Sequence, residues 1–347
     1  MTRNPEPPPS LSEARALYRE RAYRELLDRV GDASDRALLA EPELGFFVAD
    51  ASRRLGDGER ALALCRALAP ICQQRGNDRL FRDRLNLEGM LRFALGEVEA
   101  ASELWSELLS ASSRAGDADF VARSNQNLGV IYTLEGSLEE ALVSYERALA
   151  GYRQLGQWRG MAQALQNVAI THREMDRWHD ADRCCQDAIR YAQQDGSEDE
   201  VARAQQERAL VLCLSGDPLL AEATAAQALR RWVRLEQPDG LGGTLQVLGI
   251  IALADARDSE ARAHLAEALD LAGQTHDAFL EAETLETLAA LAVAEGLRDE
   301  CVRLQGEAEQ LFASLHAESW CQRLRVRLGA VLAQRGIDAD PTQPPSS

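Results

Sequence analysis

The stretch Leu128-Gly129-Val130-Ile131-Tyr132-Thr133-Leu134-Glu135-Gly136-Ser137-Leu138-Glu139-Glu140-Ala141-Leu142-Val143-Ser144-Tyr145-Glu146-Arg147-Ala148-Leu149 decides the fold. Leu128, Ile131 and Tyr132 recur at helical spacing before Gly136, and Ala141, Leu142, Tyr145, Ala148 and Leu149 do so after it. Two amphipathic helices joined at a glycine turn form a hairpin, and the spacing predicts helices near 117–135 and 138–155. The same columns return every 40 residues without an insertion. The position of Gly129 reads Ala49, Gly89, Gly129, Ala169, Ala209, Gly249, Ala289 and Gly329. That of Ala141 reads Ala61, Ala101, Ala141, Ala181, Ala221, Ala261 and Cys301, and that of Ala148 reads Leu68, Leu108 and then alanine through Ala308. The turn column is Gly56, Gly96, Gly136, Asp176, Gly216, Ala256 and Gly296. Small residues belong where two helices cross closely. A register kept over seven cycles identifies a repeat protein.

Composition agrees. Ala, Leu, Glu and Arg dominate, aromatic residues are 5% and hydrophobic residues 46% of the 347, which favours helices throughout. The formal net charge of −18 argues against nucleic acid, whose phosphates call for a basic surface. Charge is uneven: residues 236–318 hold 17 acids against 4 arginines, and residues 158–234 hold 12 against 10. All 38 basic residues are arginine, a bias expected of a GC-rich bacterial genome. No apolar run approaches a membrane span, and Met1–Ser10 lacks the apolar core of a signal peptide. Seven irregularly spaced cysteines do not form a secreted disulfide framework. These features predict a cytoplasmic location.

The segment from Leu128 to Leu149 resembles the tetratricopeptide signature, fully in this repeat and partly in six others, over about 45–325. At 40 residues the unit is longer than the usual 34. It is similar to the long-helix variety found in kinesin light chains, polarity adaptors and bacterial peptide receptors. The resemblance implies an all-α, right-handed superhelical solenoid of seven hairpins. The expected organisation is a disordered segment 1–10, then one solenoid over 11–335, then a disordered tail 336–347. Within the solenoid lie a single capping helix over 11–30, repeats over about 42–315 and a last helix over about 318–334.

In that family the first helices of successive repeats line a concave groove that carries the ligand contacts. The groove columns here read Asn86, Gln126, Gln166, Gln206, Gln246, Glu286 and, beside them, Asn127, Asn167 and Glu207; one turn earlier stand Arg123, Gln163 and Arg203. Amides both donate and accept, so a ladder of them can hold an extended backbone whatever its side chains. The same amides would also serve as solvated helix faces or as bonds between stacked helices. The candidate binding residues are Arg123, Gln126, Asn127, Gln163, Gln166, Asn167, Arg203 and Gln206. They suit a peptide or partner segment, with an acidic one favoured by the arginines and a basic one by the acidic repeats after Glu236. Arg123 and Asn127 resemble the spacing of a carboxylate clamp, but the full clamp is not reproduced.

No catalytic constellation emerges: HExxH, GxSxG and a phosphate-binding glycine loop are all missing. His172, Asp176, His179 and Asp180 have suggestive spacing, but the repeat places His172 inside a hairpin and His179 beyond the turn, so they do not converge on a metal. Cys185 and Cys301 fall on buried columns, whereas Cys213 falls on a groove-facing one. The sequence therefore points to a non-catalytic adaptor or regulatory subunit without metal or cofactor. Its rivals are a self-associating scaffold and an effector-sensing regulator of a separately encoded enzyme or transcription factor.

Overall fold

A computed structural model describes residues 9–31, 35–75 and 78–338. Among them are eighteen helices and no strand. Three short helices come first: α1 (Leu11–Arg19), α2 (Tyr23–Val30) and α3 (Asp35–Ala40). Seven hairpins follow: α4 (Pro42–Arg54) with α5 (Gly58–Arg75), α6 (Asp78–Ala94) with α7 (Val98–Ala115), α8 (Ala118–Glu135) with α9 (Leu138–Leu155), α10 (Trp158–Glu174) with α11 (Trp178–Asp195), α12 (Glu198–Leu214) with α13 (Pro218–Leu235), α14 (Pro238–Ala254) with α15 (Asp258–Thr275), and α16 (Ala278–Ala294) with α17 (Arg298–Ser314). The last helix is α18 (Glu318–Gln334). No described helix is long and apolar enough to cross a membrane.

The columns explain the packing. All seven residues of the Ala141 column and all seven of the Ala148 column have zero exposure. Every residue of the turn column has a positive φ, including Asp176 at 57° and Ala256 at 58°, so the turn geometry prevails even where a Cβ resists it. Volumes across the hairpin are matched in pairs. A Cβ on Gly89 would lie 2.4 Å from Trp105, one on Gly129 2.6 Å from Tyr145, and one on Gly249 2.6 Å from Leu265. In two hairpins whose first helix carries alanine the facing residue is small: Ala169 shares a core cluster with Cys185, and Ala49 shares one with Cys65. Backbone approach, and not glycine flexibility, is what these positions require.

Three expectations change. The single helix over 11–30 is two, α1 and α2, because Arg21 adopts φ 60° and turns the chain between them. Ser10, expected in a disordered segment, N-caps α1 in a capping box with Glu13; the rest of that segment and of the tail, 1–8 and 339–347, lies outside the described residues. Finally, the expected single solenoid divides into two compact units, residues 1–124 and 125–347, with the boundary inside α8. Repeats that touch only their neighbours give contacts no single centre. Unit 1 has its own core, in which Ala14, Leu26 and Val30 join Val48, Ala61 and Leu87. Its buried polar centre is Asp50, whose carboxylate accepts from the Tyr18 hydroxyl at 2.6 Å and from Arg53 and Arg54 at 3.0 and 2.6 Å.

Candidate functional site

Within unit 2, the first helices α10, α12, α14 and α16 and the last helix α18 enclose a cavity of about 320 Å³. Its walls are mixed. Ile170, Leu210 and Ile250 supply one apolar column, and Phe279, Trp320 and Leu324 much of the other apolar lining. Into it converge three amides at 40-residue intervals, Gln166, Gln206 and Gln246, together with Arg173, Arg203, Glu207, Glu283 and Arg327. A concave hollow with apolar walls and convergent polar groups is a common form of ligand site.

The sequence-predicted residues divide. Gln166, Arg203 and Gln206 line the cavity. Gln206 Oε1 also accepts from the Thr244 hydroxyl at 3.0 Å, and Gln163 Nε2 donates to Glu200 Oε1 at 2.5 Å, so these amides tie successive repeats together as well. Gln126 and Asn127 are half-buried on α8, where the Gln126 Oε1 is enclosed with no hydrogen-bond partner. Asn167 is half-buried on α10, and its backbone carbonyl accepts from Thr171. Arg123 belongs to unit 1, exposed, paired with Asp119 at 3.1 Å and lying over the Phe120 ring. Arg203 is likewise exposed, over the Trp232 ring and 3.8 Å from Glu200. Both arginines thus have a local acid.

A network that the column reading missed stands behind the cavity. Glu174, whose side chain has zero exposure, accepts from Arg173 Nη1 at 2.8 Å, Arg323 Nε at 2.7 Å and Arg327 Nη1 at 2.8 Å. Arg173 Nε in turn donates to Glu207 at 2.6 Å. Burial opposes ionisation of Glu174, but the guanidiniums of Arg173 and Arg327 and the bonds from Arg323 and Arg327 prevail and hold its carboxyl below the ordinary range. Glu283 is the contrast. Its carboxyl accepts from the Trp320 indole at 2.9 Å, and no ion pair to it occurs among the described residues. Burial pushes its carboxyl up to about 7, against the pull of Arg173 and of the indole bond. A signal for the network existed. Within unit 2, Arg173 shares its column with Thr133, Cys213, Leu253, Val293 and Ala333, and Glu174 shares its own with Leu134, Leu214, Ala254, Ala294 and Gln334. Two adjacent charges on core columns require partners from elsewhere.

The remaining candidates are placed as follows. Among the described residues no three His, Cys, Asp or Glu gather in a metal-holding group. His172 is half-buried with its Nδ1 unpartnered, and burial lowers its pKa; His179 is exposed. All seven cysteines are free and buried. Cys213, expected to face the groove, is only 4% exposed, and burial raises its thiol to about 12.

Helical hairpins repeated in register, with amides of successive repeats converging within unit 2, define a helical-repeat fold. Residues 83–154 match the tetratricopeptide repeat family. No curated protein matches the sequence. Among solved structures, a Rap protein complexed with competence and sporulation factor is similar at 13% identity and a TM-score of 0.72, over 94% of this chain and 91% of that one. The apo form of RapI is similar at 10% identity and 0.66, over 80% and 99%. The Rap conjugation gene regulator of plasmid pLS20, in complex with the Phr* peptide, is similar at 18% identity and 0.55, over 92% and 96%. At these identities the likeness is one of fold.

Proposed function

We propose that this protein is a non-catalytic module that binds a peptide or a segment of a partner protein on the concave face of unit 2. The observation that carries the reading is the convergence of Gln166, Gln206 and Gln246, from three successive repeats, on one cavity of mixed apolar and polar lining beside Arg203. Amides at this interval offer paired donors and acceptors to a polypeptide backbone, and the apolar walls receive its side chains. Two structural neighbours, one complexed with competence and sporulation factor and one with the Phr* peptide, support it. An adaptor or regulatory subunit acting through such contacts has no need of a reaction centre.

The experiment is hydrogen exchange on the protein with and without a polypeptide captured from native cell extract. Protection concentrated on α10, α12, α14 and α16 is expected. Protection confined to the second helices α11, α13 and α15 would place the site on the opposite face and defeat the proposal.

A further inference from the structure

The helix α18 continues the 40-residue register as a first helix after the seventh hairpin. It therefore carries on the groove-facing columns what the earlier repeats carry there: Arg323 stands in the column of Arg123 and Arg203, and Arg327 in that of Asn127 and Asn167. These side chains reach back within unit 2. Arg323 donates to Glu174 and, through Nη2, to the Thr133 carbonyl at 2.8 Å, contacts 149 and 190 residues away in sequence. Arg327 donates to the same Glu174 oxygen, and Trp320 to Glu283. On its other flank Arg325 grips Glu286 with two bonds, 2.7 and 2.9 Å. The concave face of unit 2 thus already holds an amphipathic helix: an aromatic anchor, two arginines four residues apart, and Leu324 and Leu328 between and after them.

That helix fills its seat incompletely. The 320 Å³ cavity remains between α18 and the opposing helices. The Arg327 Nη2 is buried with no hydrogen-bond partner. An unfilled hollow forfeits dispersion contacts, and a buried unpaired donor carries its full desolvation cost. A better-fitting helix of the same chemistry has something to gain.

We propose that the seat of α18 is an interaction surface for a partner's amphipathic helix that carries an aromatic anchor followed by two basic residues four apart, and that this helix exchanges with α18. The inference rests on the concave-face reading and adds the partner's chemistry: a basic helix, delivered to Glu174, in the helix-in-groove manner. Exchange also supplies the room that a cavity of 320 Å³ lacks for anything longer than a few residues.

The probe is a synthetic fluorescent peptide of residues 318–336 with Cys321→Ser, added to the full-length protein. Cys321 lies on α18, is 5% exposed, and has a thiol raised by burial to about 11, so its alkylation reports release of the helix. Saturable binding is expected, with Cys321 of the protein labelling at least tenfold faster at saturating peptide while Cys185 and Cys301 stay protected. A peptide carrying Arg323→Glu and Arg327→Glu should not bind. The protein bearing Arg323→Ala with Arg327→Ala, which loosens α18, should bind the original peptide at least tenfold more tightly. Absence of peptide binding to wild type, with Cys321 labelling unchanged, overturns the proposal, and the wild-type arm stands even if the loosened variant does not fold. Concentration-dependent dimerisation of the protein alone, abolished by adding the peptide, makes a second copy the occupant and overturns the partner assignment. A captured partner that protects α10 and α12 while Cys321 stays closed refutes exchange and leaves the concave-face reading intact.

Discussion

Arg323 donates from Nε to Glu174 Oε2 at 2.7 Å although 149 residues separate them. The bond joins the last helix of unit 2 to its first complete hairpin, and Glu174 accepts from Arg173 and Arg327 as well. Three guanidiniums meet on one wholly buried carboxylate, and its removal leaves the buried Arg327 and the part-buried Arg323 without a counter-charge, while Arg173 keeps Glu207. Glu174→Ala should cost about 3–5 kcal/mol, the usual effect of breaking a buried ion pair from one side. Denaturant titration checks it, with the midpoint falling sharply; a midpoint within error of wild type would show that the network relaxes into water.

The neighbouring carboxylate behaves in the opposite sense. Burial raises Glu283 to about 7, above its ordinary 4.5, so between these values the folded state binds the proton more firmly than the unfolded state. The contribution of this group to stability is therefore greatest at low pH and declines as pH rises from about 4.5 through 7. Across that window the loss amounts to about 3 kcal/mol at 1.36 kcal/mol per pKa unit. Glu283→Gln should remove the decline. His172, lowered by burial, acts the other way in part of the range but is common to both proteins. The measured quantity is thus the stability difference between variant and wild type, which should grow in the variant's favour from pH 5 to pH 8. A difference independent of pH would show an ordinary Glu283.

Packing across the hairpin gives a third test. A Cβ at residue 129 falls 2.6 Å from Tyr145, whereas the next repeat pairs Ala169 with Cys185. Gly129→Ala should destabilise by roughly 1–3 kcal/mol through overpacking. Combined with Tyr145→Cys, which recreates the next repeat's pair, it should show a favourable coupling of about 1 kcal/mol or more relative to the sum of the single changes. Additive effects in the double-mutant cycle would mean that the two residues do not share one volume.

Cys185 and Cys301 have zero exposure, and burial raises both thiols. Neither should label natively. Their alkylation should follow global unfolding and slow in step with added stability; labelling of both within minutes under native conditions would contradict the column assignment.

How far the sequence carries is visible in these residues. Ala141, Ala148 and Gly129 could be placed because a repeat contacts its neighbours at fixed offsets, so one column fixes seven hairpins. Of the groove residues, Gln166 and Gln206 stand 40 residues apart and line one cavity with Arg203. What escaped depends on distance. The contact of Arg323 with Glu174 spans 149 residues, and no nearest-neighbour rule supplies it, although a glutamate on the column of Leu134 and Leu214 marks one end. The break between α1 and α2 escaped for a local reason. Arg21 holds a left-handed conformation that arginine does not advertise, where glycine would have.

The most direct measurement of the central claim is the affinity of a captured polypeptide for wild type and for Gln166→Ala with Asn167→Ala, compared at equal folded fraction. Both residues lie on α10 at half-buried groove positions, away from the zero-exposure columns, so the fold should persist. With each lost hydrogen bond worth roughly 0.5–1.5 kcal/mol and 1.4 kcal/mol per tenfold step, binding should weaken by roughly ten- to a hundredfold. Affinity equal to wild type in the folded double variant would contradict the assignment of the concave face as the binding surface.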